Sequence, residues 1–155
     1  MPRALIVFLG GGIGASLRAL LFDSLASWGT VTPVLVANLT GAFALGVVFV
    51  LAHEASLLRA ETRLFVAVGV LGGYTTFSTF AWGADLLLAG HAQVEAFAYI
   101  FASLVGGIVA VVAGLIAGRG LVTLLGRGGP GDAQRARNAS ADMDSIEAED
   151  REASA

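Results

Sequence analysis

Cysteine and lysine are both absent from this 155-residue chain, and proline occurs only three times. Without thiols there can be no disulfides, no thiolate catalysis and no soft-metal centre, although this identifies no compartment. Charge is also scarce, at 14% of residues. Up to residue 125 the five arginines (3, 18, 59, 63 and 119) are matched by five acids (23, 54, 61, 85 and 95), so that part is formally neutral. Such a balance leaves no basic surface for nucleic acid. The other seven acids fall between Asp132 and Glu152, which places the acidity in a tail.

What is present is apolar: 56% hydrophobic residues and a mean hydropathy of +0.80. That is more apolar surface than a domain of this size buries in water, and lipid is the expected solvent. A bilayer core of about 30 Å needs roughly 20 apolar helical residues. Four stretches qualify: Ala4 to about Leu25, a segment within Ser24 to Ala52, Leu64 to about Leu88, and Ala96 to Gly118 or a little beyond. Thr30 to Pro33 starts the second helix, His53 to Arg63 reads as a polar loop, and Ala89 to Glu95 as a tight turn containing Gly90. Met1 to Ser16 has the outline of a secretory signal peptide, but its Gly-rich run leads into Arg18 and more helix, and three spans follow. The expectation is a channel subunit over 1–125 and a disordered acidic tail over 126–155, where no apolar stripe supports an amphipathic helix at Ala139 to Ala153.

Small residues recur at four-residue spacing: Gly10 with Gly14, Gly11 with Ala15, Ala42 with Gly46, and Ala110 with Gly114 and Gly118. Such rows let helix backbones approach closely in lipid. Gly10, Gly12 and Ala15 also satisfy a dinucleotide-binding pattern, but no strand precedes them. Asn38 to Thr40 forms a glycosylation sequon inside the second span, where it cannot be surface exposed.

Polar groups are expensive in hydrocarbon, so those inside the spans are functional candidates: Arg18, Asn38, Thr40, Thr75, Thr76, Ser78, Thr79, Tyr99 and Ser103. No carboxylate or histidine lies deep within a span, which removes the usual proton relay and favours a passive pore over a coupled transporter or an enzyme. The third span carries the densest signal, from Gly69 to Phe80. Its Gly72-Gly73 pair followed by Thr75 and Thr76 lowers helix propensity at mid-span and predicts a break. Freed carbonyls there would suit a hard cation. The alternative is a packing kink whose hydroxyls bond back to the preceding turn. Phe77 and Phe80, three apart, share a helix face, as do Thr76 and Phe80; ring edges carry positive charge and can contact an anion. Asn38 offers two N–H donors to an anion or to a neighbouring helix. Arg18 either concentrates anions or extends to the interface.

Taken together, Gly12-Ile13-Gly14-Ala15 with Arg18, Asn38-Leu39-Thr40-Gly41, and Gly72-Gly73-Tyr74-Thr75-Thr76-Phe77-Ser78-Thr79-Phe80 resemble the Fluc (CrcB) family of fluoride channels over residues 4 to about 120. The resemblance implies an all-α membrane protein of four transmembrane helices with a break in the third. Two subunits would pack antiparallel and let fluoride out of the cytoplasm passively through the cell membrane. It further implies a structural, untransported sodium ion on the backbone carbonyls of Gly72 and Thr75, an aromatic pair of Phe77 and Phe80, and a pore donor in Asn38, beside Thr76, Thr79 and Arg18. Tyr99 and Ser103 match a polar track whose next step falls at Gly107, which has no hydroxyl. A small multidrug exporter would call for a glutamate in the first helix, where this chain has Arg18, and an inert membrane scaffold would explain the glycine rows but not Gly72 to Phe80.

Arg3, Arg59, Arg63, Arg119 and Arg127 lie near helix ends on one side, against none in the two loops of the other, which predicts both termini in the cytoplasm. A self-pairing antiparallel dimer needs both orientations. The partner subunit is therefore expected to be either a second copy or a paralogue of reversed bias.

Overall fold

The structure is a computed structural model that describes residues 2–126. Among these, four helical stretches are long and apolar enough to cross a membrane. Helix α1 is Arg3–Ser24, and α2 is Thr32–Glu54, started by Pro33 and ending in one wide turn closed by Ala55 N–H on the Val50 carbonyl. The third span is built from two pieces, α3 (60–74) and α4 (Ser78–Ala89). Helix α5 is Gln93–Gly126, 34 residues. Two compact units divide after Arg119, the first ending there and the second beginning at Gly120. The tail readings lie outside the described residues.

Boundaries moved where polar residues were absorbed into helix. His53 and Glu54 complete α2, and Ala60–Arg63 open α3, which shrinks the expected 53–63 loop to a few residues around Ser56 (φ 52°). In the 89–95 turn the left-handed residue is His91 (φ 59°) rather than Gly90. There Ala92 donates to the Leu87 carbonyl and His91 to Leu88, a helix-terminating pair of bonds that places αL one residue later than the glycine.

The helices are held by close approach rather than by a large core. The most buried residues are small or branched: Val34, Ala37, Val50 and Ala96. Gly10 and Gly14 of α1 lie directly on the backbone of α3, where a Cβ on Gly10 would stand 2.7 Å from the Phe65 carbonyl oxygen and one on Gly14 would collide with the Val70 carbonyl. Gly46 and Gly114 do the same between α2 and α5. This is the dispersion-driven packing expected in lipid. Outward faces of Phe8, Phe97, Phe101 and Ile116 remain exposed, as lipid-facing or partner-facing surface requires.

Candidate functional site

The site is made by the interruption of the third span. Helix α3 widens over Leu64–Val70 into turns bonded five residues apart, Leu71 N–H reaching the Val66 carbonyl, and then closes with one ordinary turn to Tyr74. Wide turns of this kind are rare and frequently sit at functional sites. Thr75 is extended (φ −77°, ψ 159°), and the chain re-enters helix only at Ser78.

A break in hydrocarbon must have its backbone satisfied, and side chains from two other spans do this. Asn38 of α2 donates from Nδ2 to the Thr76 carbonyl (3.0 Å) and accepts the Thr76 N–H on Oδ1 (2.9 Å). Arg18 of α1 donates from Nη1 to the Thr75 carbonyl (3.2 Å). Thr75 Oγ1 returns to the Leu71 carbonyl (2.8 Å). The Thr76 hydroxyl lies 2.9 Å from Thr79 Oγ1 and 3.3 Å from Ser78 Oγ, and it accepts the Thr79 N–H, capping α4 at its start. Because Thr76 N–H goes to Asn38, it does not close the next turn onto Gly72, which frees the Gly72 carbonyl.

The break opens on a groove of about 510 Å³, bounded by Asn38 and Gly41 of α2, Leu71, Gly72, Thr75, Thr76, Phe77 and Phe80 of the third span, and Ser103 of α5. Phe77 is 79% exposed while Thr76 behind it is 7% exposed. The Phe77 and Phe80 rings are 5.8 Å apart and tilted by 44°, and Phe80 stands 5.3 Å from the ring of Tyr99. Tyr99 is 5% exposed, and among the described residues its hydroxyl meets no hydrogen-bond partner. Its ring fits beside Gly83, where a Cβ would stand 3.4 Å from the hydroxyl oxygen.

Every residue singled out in the sequence thus lies at this break, in the groove or next to it, but not always as expected. Thr76 precedes α4, so it and Phe80 are not on one helical face; the groove brings them together instead. Asn38 is engaged with Thr76 on both sides of its amide. Arg18 neither reaches the interface nor stands free; it bonds the break. Thr75 turns its hydroxyl back to the Leu71 carbonyl one turn earlier, as the packing-kink alternative for the third span expects, and Thr40 and Ser103 on other spans do likewise to Val36 and Tyr99. Sequence reasoning missed Tyr74, whose hydroxyl is 2.9 Å from Thr40 Oγ1, and Gly41 and Gly83, whose missing side chains seat Thr75 and Tyr99. The position of Tyr74 beside the Gly pair was the one visible hint.

Residues 5–115 match the family described as CrcB-like protein, Camphor Resistance (CrcB). The chain is 40% identical over 122 residues to a protein of Nocardia farcinica named fluoride-specific ion channel FluC 2, covering 75% of this chain and 81% of that one. It is 39% identical over 129 residues to the fluoride-specific ion channel FluC of Mesorhizobium japonicum (78% and 99% covered) and 40% identical over 126 residues to that of a Chelativorans species (79% and 100%).

Proposed function

The chain belongs to the CrcB family, and from that membership we propose that it is a subunit of a fluoride-selective channel that lets fluoride leave the cytoplasm passively. The observation that supports this most directly is the break of the third span and the groove it opens, walled by Phe77, Phe80 and hydroxyl-bearing residues. Fluoride is small and strongly hydrated, so a pore must replace its water with donors that cost little to approach. Phenyl edges offer positive charge without a competing counter-ion. The unsatisfied Tyr99 hydroxyl behind Phe80 is a donor of the required kind. Neither a multidrug exporter nor a scaffold accounts for these features.

A structural sodium ion fits the donors in part. The Gly72 carbonyl is released by the Asn38 clamp, and neutral backbone oxygens suit a hard cation. The Thr75 carbonyl already accepts from Arg18, and its second lone pair would have to serve the ion beside a guanidinium. Two oxygens do not complete a shell, so the ion would draw on a second subunit. Bound there, it would supply positive charge and fix the break. Phe77 on the groove wall is 79% exposed in one chain, and an antiparallel partner would cover it.

The test is flux from liposomes holding the purified protein. Fluoride efflux without chloride efflux is expected; comparable chloride flux would refute the assignment. Replacing sodium by N-methyl-D-glucamine should slow fluoride flux or lower the melting temperature of the assembly. Unchanged flux and melting would remove the ion from the proposal.

A further inference from the structure

A second cavity, of about 320 Å³, is lined by other residues than the groove, at the end of the bundle that carries the N-terminus. Its lining is Arg3 at the start of α1, Ala60, Glu61 and Arg63 in the first turn of α3, and Leu64 and Val68 one and two turns further into the membrane. Among the described residues neither Arg3 nor Arg63 makes an ion pair, although Glu61 shares the cavity; Arg63 Nη1 lies 3.4 Å from His53 Nε2. On the same end of the bundle Arg119 is fully engaged by Glu54 through two 2.8 Å bonds. Arg3 and Arg63 thus stand at the cavity wall without an ion pair among the described residues, beside the single carboxylate of Glu61.

We propose that this cavity binds the phosphodiester of a membrane glycerophospholipid. The lining is graded in the way that ligand is graded. Two guanidinium groups, which match phosphate oxygens in geometry and shed water more readily than ammonium, stand at interface depth. The apolar wall of Leu64 and the 55% exposed Val68 runs inward from them, where an acyl chain would lie. Two arginines and one glutamate give a formal charge of +1, which a single phosphodiester neutralises. Basic pockets between spanning helices at this depth are suited to lipid head groups. Free inorganic phosphate shares the headgroup chemistry but has no use for the apolar wall. Its lining shares no residue with the groove, and its test does not depend on conduction.

The full chain, purified in detergent and stripped of lipid, is titrated with phosphatidylglycerol, dioleoylglycerol and inorganic phosphate and read by native mass spectrometry. Phosphatidylglycerol is expected to remain bound while dioleoylglycerol is not, and inorganic phosphate is expected to bind far more weakly. Arg3→Gln and Arg63→Gln should each weaken phosphatidylglycerol binding about fivefold. Glu61→Gln should tighten it, and Arg59→Gln, outside the lining, should leave it unchanged. Equal retention of dioleoylglycerol, equal affinity in the double Arg3→Gln, Arg63→Gln variant, or phosphate binding as tightly as the lipid would each overturn the proposal. Should the variants fail to fold, the wild-type comparison of phosphatidylglycerol with dioleoylglycerol at low and high salt decides alone, a salt-insensitive affinity also overturning it.

Discussion

At the break, single side chains stand in for missing backbone bonds. Asn38 satisfies both polar groups of Thr76, so Asn38→Ala would leave a buried N–H and a buried carbonyl unpaired, at about 1–3 kcal/mol each. A lowered melting temperature together with lost flux is expected; a variant that melts like the parent would show that water or a second subunit satisfies Thr76. Phe77 and Phe80 stand differently, since their rings line the groove without hydrogen-bonding duties. Phe77→Ile and Phe80→Ile should abolish most fluoride flux and leave assembly intact in size-exclusion chromatography. Unchanged rates in both would return the rings to ordinary packing. Residue types at this site were legible because polar groups in an apolar span stand out. Their partners were not, because an Arg18 to Thr75 bond spans 57 positions and only the folded chain brings the two together.

At the scale of elements, the spans could be read from hydropathy alone, and the break from the Gly72-Gly73 pair and the threonines after it. The wide turns over Leu64–Val70 were invisible, since nothing in a run of Leu, Phe, Val and Ala with one Gly distinguishes five-residue from four-residue bonding. The glycine rows were legible as packing signals but did not say which glycine touches what. The structure separates them. A Cβ on Gly14 would meet the Val70 carbonyl and stand 2.8 Å from the Tyr74 nitrogen, whereas one on Gly12 meets nothing within 4 Å. Gly14→Ala should therefore force α1 from α3 at a cost of about 1–3 kcal/mol. Gly12→Ala should keep the chain folded and gain up to about 1 kcal/mol in helix propensity. Protease resistance in detergent measures both, and equal damage from the two substitutions would contradict this packing.

For the whole molecule, the arrangement of charge and the need for closure pull in different directions. Arg3 and Arg63 share one cavity, Arg63 reaches His53, and Arg119 pairs with Glu54, so these residues do gather at one end of the bundle. The connections at the other end, near Trp28 and His91, contain no arginine. Such an excess biases orientation during insertion, and the arginine-rich end is expected to remain in the cytoplasm. A groove with Phe77 79% exposed nonetheless calls for a covering subunit. If that subunit is antiparallel, a chain inserted one way cannot supply it from its own copies. A paralogue of reversed bias is then the expected partner. Expressed alone, this chain should carry a C-terminal reporter almost only on the cytoplasmic face and give little fluoride efflux, and co-expression with the reversed paralogue should restore it. Equal reporter populations on both faces, with full efflux from the single gene product, would instead establish a homodimer, and the arginine bias would then have no hold on topology.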